Sequence, residues 1–526
     1  MNASTGIAIG RQRWVRATAL ALILAVFPIM FFARLRLRST PLERDEGEYA
    51  YAGQLILQGI PPYSLACNMK LPGTYAAYAV IMAVFGQTMA GIRLGLLLAN
   101  AATVLLLVLL GRRLFGRDAG LAAGAAYALL SFGLAVMGTA GHATHFVVLP
   151  AMAGLLLLLG AMESGRAATF FWSGVLFGLA FLAKQHGIFF ALFAGGWLLW
   201  KHPGGWVRTA RRLAVFGAAA ALPFAATCLI LWIAGVFPKF WFWTFLYARA
   251  YASENTLRDG LDNLKEQLPL LVHHNAALWA LAAVGLAAAW WKRETRAPAL
   301  FLTGLLLFSA AAVCPGLYFR EHYFVLLLPA IALCAGVVAG NFRAWGVWLF
   351  AVALAFSVAS QGRFLFRETP VQVSRELYNL NPFPEAIPIS EYIRRHSAPG
   401  TRIAVMGSEP EIYFYSHRHS ATGYIYTFAL SEDQPYAVQM REEMIQEVRT
   451  AQPAYVVLVD SLDLWDYRSD GKPTVFSWWG GYAPGRYDIV GIADIISNDR
   501  TEYRWGAAAA AYKPESDFIV AIYKKR

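Results

Sequence analysis

Residues 43–51 read Glu43-Arg44-Asp45-Glu46-Gly47-Glu48-Tyr49-Ala50-Tyr51, an acidic and aromatic run just past the first long apolar segment. The same stretch continues to Pro61-Pro62-Tyr63 and to Lys70-Leu71-Pro72-Gly73. Carboxylates held this near a bilayer are costly, and they commonly mark a functional site. The chemistry open to them is proton abstraction, with tyrosines and a lysine to position the reactants and balance charge. On a helix the adjacent Asp45 and Glu46 point about 100° apart, so they do not make a dyad that shares one proton. They divide the work instead, one as general base and the other in a supporting role. Tyr49 and Gln54 continue the helical pattern as far as Gly59, and Pro61-Pro62 ends it. The plain alternative is an amphipathic helix beside the membrane whose acids only face water.

The elements that must position these residues are mostly membrane. The 526 residues are 58% hydrophobic and 15% charged, against about 25% charged in soluble domains. Apolar segments fall near 17–33, 90–111, 119–138, 145–162, 170–183, 187–200, 213–236, 276–291, 299–314, 323–339 and 344–360. They predict a mostly α, polytopic membrane helical bundle of about eleven spans. Arg11, Arg13 and Arg16 ahead of the first segment resemble a signal peptide, but Arg34, Arg36 and Arg38 follow where a small-residue cleavage site would stand. The segment reads as a retained span.

A net charge of +12 raises nucleic acid as a partner, and its placement excludes it. The basic residues stand in short loops: Arg112-Arg113 with Arg117, Arg166, Lys201 to Arg212, Lys292-Arg293 with Arg296, and Arg343. With the N-terminus cytoplasmic, all of these loops face inward, as the positive-inside rule requires. The long loops, about 34–89 and 237–275, then lie outside. The second opens Phe237-Pro238-Lys239-Phe240-Trp241-Phe242-Trp243, aromatic enough to lie among lipid headgroups. Cys67, Cys228, Cys314 and Cys334 show neither metal spacing nor a paired framework, although Cys67 and Cys314 share the outer side, where a disulfide is open to them.

Residues 1–360 therefore read as the membrane domain, and 361–526 as an extracytoplasmic domain. Arg402–Met406 and 453–459 are β-rich, 487–496 and 518–523 supply further strands, and Ile389–Arg395 and 432–449 carry helical patterns. Alternating helix and strand predict a small α/β domain. Gly407-Ser408-Glu409 reads as a strand-to-helix turn without a phosphate-loop lysine. Trp478-Trp479 with Tyr482 reads as a small core.

The run RDEGEYAYAGQLILQGIPPY and the later MKLPGTYAAYA resemble the first outer loop of GT-C superfamily glycosyltransferases that use polyprenyl-phosphate sugars. The nearest branch is the protein-mannosyltransferase-like group that includes the aminoarabinose transferases. The likeness spans about the first 360 residues and rests on the Asp45-Glu46 motif, the tyrosine at 49, and the element Lys70-Leu71-Pro72, where Leu71 departs from a Lys-Pro-Pro pattern. It implies a lipid-linked sugar donor and a hydroxyl acceptor (protein, lipid or glycan). Asp45 would be the base, Glu46 would assist, and Tyr49 would contact substrate. A leaving polyprenyl phosphate needs cations and donors. Three groups face outward to supply them: Lys70, then Lys184-Gln185-His186, then Arg320-Glu321-His322-Tyr323 ahead of a leucine-rich span that also resembles the family.

Plainer roles stand beside these. Lys184 could be snorkelling from a helix end, although it breaks the positive-inside pattern. Glu321 could pair with Arg320 and blunt its charge. His142 and His145, at i and i+3, could ligate a metal, but two histidines without a third ligand suit interfacial hydrogen bonds better. No metal or other cofactor is expected. A transporter or flippase is the competing class; it would set its charges near the bilayer midplane, whereas this chain keeps them in outer loops and at span ends. The topology fits a bacterial-type cytoplasmic membrane with the active face outside, and an endoplasmic-reticulum membrane with a lumenal active face satisfies it as well.

Overall fold

The computed structural model describes the backbone of residues 3–432, 434–461 and 474–526 and, except at 3–13, 343, 460 and 461, their side chains. Each apolar segment holds a helix, although the one read at 119–138 leaves its helix after Leu130 for a turn around Leu134–Val136, and the chain is a polytopic membrane protein. Trp14–Arg36, Met89–Phe115, Ala143–Ser164, Trp206–Ile233 and Arg293–Val313 are each long and apolar enough to cross a bilayer. Ala167–Ala183, Leu328–Asn341 and Ala344–Ser360 are shorter apolar helices. Leu257–His273 meets Ala276–Trp291 at 98°, so an amphipathic helix turns sharply into an apolar one. Thr256 and Asp259 form a reciprocal cap at its start.

Contacts divide the chain into two compact units, each discontinuous in sequence. One comprises Met1–Arg38, Arg93–Cys228 and Asn255–Glu368; the other comprises Ser39–Ile92, Leu229–Glu254 and Thr369–Arg526. These boundaries are not those of a linear split at residue 360, because the first long loop groups with the C-terminal region.

In the first unit the membrane helices pack through small residues. A Cβ on Gly336 would lie 2.5 Å from the Ala119 carbonyl oxygen, so only glycine lets the Leu328–Asn341 and Arg117–Leu130 helices approach this closely. Arg16 anchors the first helix by a 2.6 Å ion pair to Asp118, and Arg36 donates 2.6 Å to the Phe364 carbonyl.

In the second unit, residues 39–89 of the first long loop are not open. They hold the helices Arg44–Leu57 and Pro72–Phe85. Among the described residues the C-terminal sheet has six strands: β1 (Arg402–Met406), β2 (His419–Ser420), β3 (Tyr455–Ser461), β4 (Tyr487–Ser497), β5 (Arg500–Trp505) and β6 (Phe518–Lys525), in the order β2-β1-β3-β6-β4-β5. β1 runs parallel to both its neighbours, and the remaining pairs are antiparallel. Helices Phe383–Arg395 and Ala437–Ala451 complete the α/β domain. Trp479 is buried against Tyr487 and Tyr523, the small core read from the sequence.

The aromatic segment at 237–252 winds as a π-helix over Phe242–Tyr247. Expected among headgroups, it is committed in part to the C-terminal domain. Trp243 packs on Tyr424 and the Tyr247 hydroxyl donates 2.7 Å to Glu432. Cys67 and Cys314 are free thiols, so the disulfide open to them is not made. Cys67 is buried, its N–H donating 2.9 Å to the Gly423 carbonyl in a parallel bridge of Cys67 with Tyr424.

Candidate active site

The acidic run folds as the first turn of the Arg44–Leu57 helix because Glu43 caps it. The Glu43 carboxylate accepts the N–H groups of Asp45 at 3.0 Å and Glu46 at 2.9 Å, satisfying donors that a helix start leaves open. Asp45 therefore sits where the helix dipole favours a negative charge. Gly47 sets the distance to the C-terminal domain: a Cβ there would stand 2.5 Å from the Glu411 backbone nitrogen, so this helix and Glu411–Ser416 touch backbone to backbone.

Asp45 and Glu46 do diverge. Asp45 Oδ1 lies 2.6 Å from Lys70 Nζ and accepts the Tyr426 hydroxyl at 3.2 Å, with 22% of the side chain exposed. Glu46 is buried, its Oε1 accepting the Tyr78 hydroxyl at 3.4 Å. Lys70 also lies 3.2 Å from the Tyr49 hydroxyl and 4.9 Å above its ring, and 3.7 Å from Glu48 Oε2. The burial of Lys70 opposes its charge, but Asp45, Tyr49 and Glu48 outweigh that and hold the ammonium well above its ordinary pKa.

Glu48 is the acid that pattern reading passed over. It is fully buried, accepts the Tyr75 hydroxyl, and accepts the Asn68 amide at 2.7 Å. Burial raises its pKa above the usual carboxylate range, against the pull of Lys70. Its signal was the i, i+3 spacing from Asp45, which sets both acids on the face that meets Lys70. Tyr426 and Arg44 were also missed. Arg44 donates 2.7 Å to the Ser408 carbonyl, lies 3.6 Å from Glu409 and covers the Phe428 ring at 4.7 Å. Tyr413 stacks on Tyr51 of the acidic helix at 5.0 Å.

The other candidates gather in the first unit. Lys184 Nζ lies 3.7 Å over the Tyr323 ring. His186, in the turn Gln185–Gly187, packs edge-on to the same ring at 5.1 Å and donates Nδ1–H to the Ala312 carbonyl at 2.7 Å. His322 stacks on His142 at 4.1 Å and meets Tyr323 edge-on. Arg320 lies 5.1 Å over the Tyr318 ring, and Glu321 accepts the Gln267 amide at 3.3 Å. Lys184, His322 and Tyr323 are thus brought together, with Gln185 and Arg320 on the flanking turns, while Lys70 belongs to the Asp45 cluster.

Three comparisons bear on these geometries. A family model described as dolichyl-phosphate-mannose-protein mannosyltransferase matches residues 70–232. The chain is 30% identical over 329 residues to an undecaprenyl phosphate-alpha-4-amino-4-deoxy-L-arabinose arabinosyl transferase of Pseudomonas aeruginosa, covering 57% of this chain and 55% of that protein. It spans about half the length of the curated relatives it matches. In fold it is similar to ArnT from Cupriavidus metallidurans (TM-score 0.59, 16% identity, 99% of this chain and 98% of the other). It is also similar to the oligosaccharyltransferase AglB from Archaeoglobus fulgidus (TM-score 0.54, 12% identity, 92% and 74%). The family model and the curated relatives each match part of the chain, and the likeness to the solved structures is one of fold: a membrane helical bundle that carries a sheet domain in this chain.

Proposed function

We propose that this protein is an inverting glycosyltransferase that moves a sugar from a polyprenyl phosphate to a hydroxyl acceptor at the outer face of a bacterial-type cytoplasmic membrane. The observation that carries the reading is the setting of Asp45. Of the acids at 43, 45, 46 and 48, the other three are buried, and Asp45 alone reaches the surface, beside a lysine and a tyrosine hydroxyl. The names of the relatives, arabinosyl and mannosyl transferases of lipid-phosphate donors, agree with it.

In this reading the acceptor oxygen attacks the anomeric carbon while its proton passes to Asp45. The anomeric C–O bond to phosphate breaks, and the electron pair leaves on the phosphate oxygen. One displacement inverts the anomeric centre. Lys70 stands 2.6 Å from Asp45 Oδ1 and balances its charge, and Glu48 and Tyr49 fix Lys70 in turn. Glu46 orders the helix start from inside. Lys184 and Arg320, with Gln185, His322 and Tyr323, supply charge and hydrogen bonds for the leaving phosphate. We assign no metal to the step. The C-terminal domain, outside the membrane with the first loop, receives the acceptor.

The test is sugar transfer by purified protein in lipid, supplied with a panel of polyprenyl-phosphate sugars, wild type against Asp45→Asn. Transfer from one donor that disappears in the variant supports donor class and base together. Full turnover by the variant removes Asp45 from the role. If no donor is used or bound, flux in liposomes becomes the assay and transport the better reading.

A further inference from the structure

A cavity of about 540 Å³ lies among the membrane helices of the first unit and has no part in the proposed reaction. Its walls are largely apolar, with Phe27 and Phe31 from the first span, Val104 and Val108 from Met89–Phe115, and Leu121 from Arg117–Leu130. Three polar residues also line it: Arg34, Asn100 and Ser131. They are not scattered. Arg34 donates 3.2 Å to Ser131 Oγ, which fixes both at one end, and Val108 lies eight residues beyond Asn100, about 12 Å farther along its helix. The cavity thus has a polar end and an apolar run.

Arg34 is the anomaly. It is 9% exposed, donates to Ser131 Oγ and, at 3.4 Å, to the Gly138 carbonyl, and lies 4.5 Å over the Phe132 ring. Among the described residues no acidic side chain pairs with it; its titratable neighbours are the Tyr127 phenol and then a second arginine, Arg93. A guanidinium withdrawn from water with no counter-charge is strongly unfavourable unless an anion reaches it. Asn100 repeats the theme: it is 4% exposed, its amide donates to the Leu96 carbonyl, and its Oδ1 is buried without a donor among the described residues. An apolar cavity of this size with a few convergent polar groups has the character of a ligand site.

We propose that this cavity is a lipid site that takes one hydrocarbon chain of an anionic phospholipid, with its phosphate met by Arg34 and a headgroup or glycerol hydroxyl offered to Asn100. The glycosyl donor is the other amphiphile in play. Its phosphate is already assigned to Lys184 and Arg320, which makes Arg34 the place of a second lipid; to that extent the choice rests on the proposed reaction.

The experiment is a lipid titration of delipidated full-length protein, read by native mass spectrometry, with dioleoyl phosphatidylglycerol and dioleoyl phosphatidylcholine in separate series. The wild type should hold its first phosphatidylglycerol about tenfold more tightly than phosphatidylcholine, the scale of one charge-assisted contact. Arg34→Gln should erase that preference. Ala101→Trp, which fills the cavity from its exposed wall and leaves Arg34 in place, should weaken both lipids and decides the matter if the arginine variant does not fold. No headgroup preference in the wild type, a preference that survives Arg34→Gln, or unchanged binding by Ala101→Trp would each overturn the proposal. So would displacement of phosphatidylglycerol by equimolar undecaprenyl phosphate, which would give the cavity to the donor's own tail. Sugar transfer is not read at any point, so an inactive preparation fails the reaction without failing the lipid site.

Discussion

Lys70 and Lys184 hold their charges by different means, one in each unit. Lys70 is ringed by Asp45 and Glu48 at 2.6 and 3.7 Å, while Lys184 lies 3.7 Å over the face of Tyr323. A carboxylate partner fixes an ammonium by cancelling its charge, and in return the ammonium governs the protonation of the acid. An aromatic face positions an ammonium and adds no formal negative charge of its own. The first arrangement suits proton transfer, and the second suits a cation meant to meet a phosphate.

Substitutions can break that contrast, and the largest effect belongs to the acid. Asp45→Asn should reduce transfer by about 10²–10⁴-fold, the range for loss of a general base, while donor binding stays close to wild type. Equal losses in both would merge the two clusters into one function. Lys184→Ala should do the reverse, weakening donor binding about tenfold or more with a smaller change in turnover, measured as separate kcat and KM values. An unchanged donor affinity would take the phosphate away from this cluster.

Two smaller changes test how the acidic helix is seated. Gly47→Ala forces a methyl to within 2.5 Å of the Glu411 nitrogen and should cost about 1–3 kcal/mol of stability, seen as a lower melting temperature. Glu411 itself sharpens the picture through pH. Burial and then the charge of Glu409 push its carboxyl well above the ordinary 4.5. The folded protein thus holds a proton that the unfolded chain releases, so stability is greatest below about 4.5 and falls as pH rises toward the folded value. Glu411→Gln should flatten that slope; a melting curve with the same pH dependence as wild type would show that Glu411 does not supply it.

Much of this was legible beforehand because the bilayer writes long signals. Met89–Phe115 and Ala143–Ser164 were visible as long, mostly apolar runs, and β1 and β3 as short β-branched ones. Pro72–Phe85 was taken for loop because 14 residues are too few to announce a span. β5, reading RTEYRW, is polar on both faces and carried no strand alternation that a buried face would impose. In the candidate site, Asp45 was legible as a candidate through its type and its place after the first apolar run. Glu48 was hidden among neighbouring acids until the helix face was fixed. Tyr426 could not be found at all, since a partner 381 residues away leaves no local trace.

That separation has a consequence in time. Asp45 leaves the ribosome well ahead of the hydroxyl that reaches it, which follows 381 residues later. At about 5–20 residues per second, this interval is roughly 20–80 s. Through all of it the acidic helix stands on the membrane without Tyr426, without the Glu411 backbone against Gly47, and without the Ser408 carbonyl that holds Arg44. The nascent bundle can insert its helices as they emerge, but the contacts that seat Asp45, Arg44 and Gly47 are complete only once Ser408, Glu411 and Tyr426 have arrived.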